Sequence, residues 1–321
     1  MLNASSHYRF FGSAVIFTLS LSCGSGVALA QISGCEPLNE IQAADSSAEH
    51  LFGGNPGEDD PHIRRGYVLA FDDERQVPRW VAWRAAPEYR NPPPRQGRWS
   101  SFRADPVSSV RDRDYVGWYD SGHNFARGHI VPYFIAGGDR NNDGSHAAIG
   151  RTTQIDDLFD ACTVYEINAF GNIAPQYHDL FNGPPGLWYL LETDIRHLID
   201  NGRSFNIIAG TIFIEDQIMF IGNREAEEET WSIAVPHGFF KIVIDEAALL
   251  AVAFLFDHES DVPGGCNLEQ SRWPSDCIVP IETIEAVTGL SFFADLPDED
   301  GRLLRTSSTR DTWMRWIRAL R

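Results

Sequence analysis

The sequence predicts an α+β fold, a central and mainly antiparallel β-sheet with helices packed on it. Two apolar runs at 66–71 and 79–83 flank an acidic turn and read as a hairpin. Residues 186–200 carry the clearest amphipathic helix. Five further strand signals follow at 205–209, 218–221, 231–235, 239–244 and 249–256, with no regular βαβ alternation.

Residues 1–30 read as a signal peptide. Arg9 precedes an apolar run from Phe10 to Leu21, and Ala28-Leu29-Ala30 forms an A-x-A cleavage signature. Thr18, Ser20, Ser22 and Gly24 make the run too short and too polar for a stable membrane span. Export implies an oxidising compartment, secreted or periplasmic, for a mature chain of roughly 290 residues. Four cysteines then remain: Cys35, Cys162, Cys266 and Cys277. They allow three pairings, with Cys266 and Cys277 favoured because they flank a Pro/Ser/Trp loop. No C-x-x-C spacing occurs, which argues against a cysteine-ligated zinc.

Residues 31–62, rich in Gly, Pro, Ser and Asp, read as a leader with little regular structure, and 63–321 as one domain. The acidic turn Asp72-Asp73-Glu74 closes the first hairpin. Residues 87–113 hold Asn91-Pro92-Pro93-Pro94 and many arginines, and predict loops. In the 186–200 helix, Leu187, Leu191, Ile195 and Leu198 recur at helical spacing, and Gly202 stops it. Residues 281–288 and 309–320 also read as helices.

The chain is strongly acidic, with 26 basic against 45 acidic residues and a net charge of −19. Lys241 is its only lysine. Such a surface argues against non-specific adhesion to polyanions and against a tight, stoichiometric DNA-binding module. A local arginine cluster still suffices to hold phosphates for an enzyme.

One ordered set of segments stands out: Ala126-Arg127-Gly128-His129-Ile130-Val131-Pro132, then Gly171-Asn172-Ile173-Ala174-Pro175-Gln176, Phe181-Asn182, Gly186-Leu187-Trp188 and Leu191-Glu192. That order resembles the DNA/RNA non-specific endonuclease family, whose pattern is D-R-G-H, N-I-x-P-Q, a metal-binding Asn, a Trp and a helical Glu. Segments His50 to Pro56, Trp80 to Trp83, Val235 to Lys241 and Thr288 to Phe293 extend the resemblance to roughly residues 50–296. The resemblance implies a ββα-metal nuclease core. It also implies Mg²⁺- or Mn²⁺-dependent cleavage of both DNA and RNA, leaving 5′-phosphates.

The chemistry fits those residue types. Phosphodiester hydrolysis needs an activated water and charge neutralisation at the phosphoryl and leaving oxygens. His129 can take a proton near neutral pH. Mg²⁺ prefers oxygen ligands and keeps several waters, so the amide oxygen of Asn182 suffices as a protein ligand. The resemblance implies that role for Asn182, and for Glu192 a role in orienting water on the ion. It further implies phosphate contacts for Arg127, Arg196 and Arg98, and a positioning role for Asn172. By spacing alone, Glu192 and Arg196 make an i, i+4 ion pair on a helix surface. Asn172 and Asn182 equally suit turns beside Gly and Pro, and His129 a packed core position.

Two positions depart from the family pattern. Ala126 stands where the first motif begins with Asp, which puts rate in question more than mechanism. Two extra residues lie between Asn182 and Trp188, in Gly183-Pro184-Pro185-Gly186.

Asp139, Asn141 and Asp143 match the first half of a calcium loop. Gly150 occupies the twelfth position, where a bidentate Glu belongs, so a polar turn is the alternative to a structural Ca²⁺ completed by Asp156 or Asp157. His123 and His129 lack a third ligand at zinc spacing. DNA and RNA are the expected substrates, with no membrane partner. A catalytically silent nucleic-acid or surface-binding homologue and a phosphodiesterase on a non-nucleic substrate are the competing readings.

Overall fold

The computed structural model describes residues 35–90, 92, 95, 97–119, 122–137, 158–214, 217–224 and 230–319. In chain order its elements begin with α1 (Glu40–His50), β1 (His62–Ile63), β2 (Val68–Asp72), β3 (Val77–Ala85) and β4 (Phe125–His129). α2 (Tyr133–Ala136), α3 (Leu158–Ile167), β5 (Ile173–Tyr177) and α4 (Leu187–Asp200) follow. Strands then dominate: β6 (Phe205–Ile212), β7 (Phe220–Asn223), β8 (Thr230–Ala234), β9 (Gly238–Asp245), β10 (Leu250–Asp257) and β11 (Ile278–Val279). The chain closes with α5 (Ile281–Thr288), α6 (Asp298–Thr306) and α7 (Arg310–Arg318).

Seven strands form one sheet in the order β1-β2-β3-β6-β9-β10-β11, every pairing antiparallel. Its central strands are apolar on both faces, because both faces are covered. Period-2 alternation divides their side chains. Val81, Trp83, Ile207, Phe239, Val243, Phe254 and Phe256 enter one core with α4 and α7. Trp80, Ala82, Ile208, Phe240, Ile242, Ala253 and Leu255 enter a second core with α5. Lys241 falls between Phe239 and Val243, on the face that carries α4.

The α+β expectation holds, with the hairpin, the 186–200 helix and the later strands in place. α4 buries Leu187, Trp188, Leu191, Ile195, Leu198 and Ile199, one stripe at helical spacing. Each such side chain contributes roughly 2 kcal/mol on burial. β4 and β5 pair antiparallel apart from the main sheet, and α4 follows them, giving a ββα unit.

The expectation of little regular structure across 31–62 is corrected by α1. Asn39 accepts from the Gln42 backbone N–H at 2.9 Å while the Gln42 side chain accepts from the Asn39 N–H at 3.1 Å, a reciprocal cap. The helix is then tied to the body. His50 accepts from the Arg84 N–H through Nδ1 at 3.2 Å, and the Ser46 hydroxyl donates to the Arg64 carbonyl. Its weak amphipathic pattern hid it from periodicity. α3, α6 and the strand character of β4 and β5 were likewise not expected. Cys266–Cys277 forms as favoured, and Cys35 joins Cys162. The signal peptide and the Asp139, Asn141 and Asp143 loop lie outside the described residues, as do Asp156 and Asp157.

Candidate active site

β4 and β5 run in register with His129 opposite Ile173, Arg127 opposite Pro175 and Ala126 opposite Gln176. Alternation sends Arg127 and His129 to one face of the pair. Gly128 between them has a steric cause. A Cβ there would lie 2.0 Å from Gln176 Oε1 and 2.1 Å from its Cδ. Gln176 is fully buried, and neither polar atom of its amide has a hydrogen-bond partner among the described residues.

Asn172 braces the chain where it leaves β4. Its Oδ1 accepts from the Val131 N–H at 2.8 Å, and its Nδ2 donates to the carbonyls of Val131 at 3.0 Å and Ile167 at 2.9 Å. Its own carbonyl accepts from the Ile130 N–H at 3.0 Å. Asn172 is completely buried, so these bonds replace water at every polar atom of its side chain. It contacts the backbone that carries His129, not the cleft.

His129 is half-buried, and its ring packs 5.4 Å from that of Phe102. Its Nε2 lies 3.0 Å from Asn168 Oδ1. The orientation of that amide is set by Asn168 Nδ2, which donates to the Trp99 carbonyl at 3.0 Å. An acceptor therefore faces Nε2, so Nε2 carries the proton and Nδ1 keeps its lone pair. Burial, then the Arg95 guanidinium, push the imidazole down to about 3, against the opposing effect of Asn168. The ring is neutral at ordinary pH, as a proton acceptor must be.

An open cleft of about 470 Å³ lies beside this strand. Arg127 and Asn182 line it, together with Arg95, Phe102, Tyr119 and Ala126. His129 is not among the lining residues, but its ring packs against Phe102, which is. The Arg127 Nε stands 3.3 Å from exposed Asp112, and its guanidinium covers the Phe102 ring at 5.1 Å. Asn182 ends a wide turn, 178–182, closed by the Gly183 N–H on the His178 carbonyl at 2.6 Å. A Cβ on Gly183 would meet the His178 ring at 2.4 Å, so any larger residue there would displace that ring.

Glu192 and Arg196 stand on α4, outside the residues that line the cleft. The surface ion pair that spacing favoured is corrected: Arg196 donates to the Thr193 hydroxyl at 2.7 Å and lies 5.9 Å over the Tyr189 ring. Glu192 turns instead to Lys241, with Nζ 3.1 Å from Oε1. Lys241 is wholly enclosed and sits 3.7 Å over Trp188, while the Glu192 side chain is 19% exposed. Burial raises the Glu192 carboxyl and lowers the Lys241 ammonium, and the charge of each opposes the shift of the other. The backbone of Arg98 lies in a short 3-10 turn, 97–99; its side chain is outside the described part.

Sequence reading missed Asn168, Arg95 and Gln176 as site residues. Asn168 directly follows α3, where an isolated Asn carries no signal, and Arg95 sits in an arginine-rich loop. Gln176 closes the quoted N-I-x-P-Q segment and was the one within reach.

The donor set suits a hard cation. Asn182, which lines the cleft, carries an amide oxygen. Among the described residues no cluster of three or more His, Cys, Asp or Glu side chains is placed to hold a metal. An amide oxygen is a hard donor of the kind that Mg²⁺ accepts beside its own waters.

Comparison with known proteins bears on these observations. The sequence pattern of the DNA/RNA non-specific endonuclease family matches residues 46–299. A nuclease of Serratia marcescens is 25% identical over 246 residues, 74% of this chain and 76% of its own length. A mitochondrial nuclease of Saccharomyces cerevisiae is 26% identical over 254 residues, 75% of this chain and 68% of its own. The fold is similar to a chain in the crystal structure of the EndoG/EndoGI complex, which concerns EndoG inhibition. That similarity has a TM-score of 0.56 at 20% identity and covers 83% of this chain and 96% of the other.

Proposed function

The chain belongs to the DNA/RNA non-specific endonuclease family, and on that premise we propose that it is a secreted endonuclease hydrolysing DNA and RNA with His129 as general base. The observation that carries this reading is the Asn168 amide at 3.0 Å from His129 Nε2. It holds the ring in the tautomer whose Nδ1 can accept a proton, on the strand face that also presents Arg127.

In this reading Nδ1 of His129 takes a proton from water. The water oxygen bonds to phosphorus while the bond from phosphorus to O3′ breaks, and the departing O3′ takes a proton from solvent, leaving a 5′-phosphate and a 3′-hydroxyl. Arg127 binds phosphate oxygens through its planar fork, and Arg196 and Arg98 are further phosphate contacts. Asn172 holds the backbone on which His129 rides. Asn182 would hold a divalent ion, Mg²⁺ or Mn²⁺, with Glu192 at one remove. When bound, that ion supplies charge neutralisation at the phosphoryl and leaving oxygens. Two disulfides support residence in an oxidising compartment, in keeping with cleavage of a signal peptide near Ala30.

Ala126 favours a second reading, a weakened or silent nucleic-acid-binding homologue. The family pattern places a carboxylate there, and the Gln176 amide opposite has no partner among the described residues. Supercoiled plasmid and total RNA, incubated with residues 31–321 in Mg²⁺ or EDTA beside His129→Ala, separate the two. Metal-dependent nicking lost in the variant is the expected result. Binding without cleavage across several divalent ions replaces the first reading with the second.

A further inference from the structure

The cleft that holds Arg127 and Asn182 has more than a phosphate requires. A phosphodiester is bound by cations and N–H donors. This cleft also carries the aromatic rings of Phe102, Tyr115 and Phe125, the methyl of Ala126 and the ring of Pro184. Tyr119 at its edge is 47% exposed. Isolated exposed aromatics are ordinary on a surface. Tyr119 instead stands in a concave, largely apolar recess that two guanidinium groups, Arg95 and Arg127, also enter.

Its ring rests against a neighbour, on an anchored backbone. His178 meets it edge-on, with centroids 5.1 Å apart and planes at 69°. The preceding residue, Trp118, is buried and donates its indole N–H to the Gly222 carbonyl. The Trp118 carbonyl in turn accepts from the Phe125 N–H at 3.1 Å, tying this segment to the start of β4. An anchored, solvent-facing ring beside a cationic groove is the arrangement on which unpaired bases stack. The cleft volume, about 470 Å³, falls within the range of roughly 300–1,000 Å³ common for small-molecule sites.

We propose that this recess is a nucleobase subsite with Tyr119 as its stacking face, so that the protein engages an unpaired nucleotide next to the phosphate held at Arg127. The inference rests on the nuclease reading for its substrate class. A base inside an intact duplex has both faces covered by neighbours and offers only its edges. The subsite therefore favours single strands, loops and frayed ends over intact duplex.

The test is binding in EDTA at low salt, where no cleavage intervenes. The probe is a short DNA single strand carrying one 2-aminopurine, beside the same strand made abasic. The wild type is expected to quench the fluorophore and to bind the base-bearing strand more tightly than the abasic one. Tyr119→Ala should weaken binding of the base-bearing strand about ten-fold, in line with loss of one stacked base. It should leave the abasic strand unchanged, and Tyr119→Phe should bind as wild type does. Equal binding of both strands by the wild type, an equal loss on both in Tyr119→Ala, or no binding of either overturns the subsite. The plasmid assay judges the nuclease reading separately. Base-dependent binding without any cleavage would sink that reading and leave the subsite standing.

Discussion

Lys241 Nζ lies 3.1 Å from Glu192 Oε1, across 49 residues of sequence, with the Trp188 ring 3.7 Å beneath the ammonium. The one lysine of the chain is thus spent inside it, where alternation along β9 aims it at α4. Removing the cation leaves a carboxylate facing an apolar pocket. Lys241→Met is expected to cost about 3 kcal/mol in denaturant unfolding. Lys241→Met with Glu192→Leu should recover much of that loss, since no charge then remains buried. If the single variant is as stable as wild type, the pair is not a structural brace.

Asn168 fixes the tautomer of His129, so its removal is expected to act on chemistry more than on folding. Asn168→Ala should lower kcat by about ten- to a hundred-fold, the usual effect of losing a group that orients a functional histidine. KM should change little, because Asn168 does not line the cleft. A variant that raises KM and keeps kcat would assign Asn168 to substrate binding instead.

Acid should destabilise the fold through His258. Its Nε2 accepts from the Tyr177 N–H at 2.9 Å, and its Nδ1–H donates to the Pro236 carbonyl at 2.9 Å. Burial pushes this imidazole down to about 3, against the favourable Pro236 bond. The unfolded chain binds the proton near pH 6.5. Between those values only the unfolded state is protonated, so stability is complete above pH 6.5 and falls toward pH 3. The loss between pH 6.5 and pH 4 should be about 3 kcal/mol for this residue. Gln in its place can accept from Tyr177 and donate to Pro236 without titrating. His258→Gln should therefore flatten the acid limb of a plot of stability against pH. An unchanged limb would assign the acid sensitivity to other groups, His129 among them.

The two disulfides should contribute unequally. Cys35–Cys162 closes 127 residues and Cys266–Cys277 closes 11. Chain entropy alone gives about 5 kcal/mol for the first and about 3 kcal/mol for the second. The Ser pair at 35 and 162 should thus unfold at lower denaturant than the pair at 266 and 277. The reverse order would mean that the short loop carries native contacts beyond its closure entropy.

Much of the fold was legible because its signals are local. Period-2 runs marked the sheet, and the 3.6-residue stripe from Leu187 to Leu198 marked α4. β4 escaped because Phe-Ala-Arg-Gly-His has no apolar alternation to read: Gly128 is small to admit Gln176, and Arg127 and His129, on the other face, are polar. α1 escaped because its stability comes from Asn39, the ties of Ser46 and His50 to the body, and the nearby bridge from Cys35, none of which leaves a hydrophobic stripe.

At the site, the sequence by itself determined the family and an ordered set of residue types, because both are written in chain order. It placed His129, Arg127, Asn172, Asn182, Glu192 and Arg196 as candidates, but not their neighbours. Only the tertiary structure decided that Glu192 pairs with Lys241 rather than Arg196, that Asn168 faces His129, and that Tyr119 stands open beside Arg127. Side chains four apart on a helix can meet, yet they do so only when no better partner is near. A half-buried carboxylate gains more from an ammonium shielded from water than from an arginine that water also solvates. That partner comes from the facing sheet, and the packing of α4 on β9 is what brings it within reach.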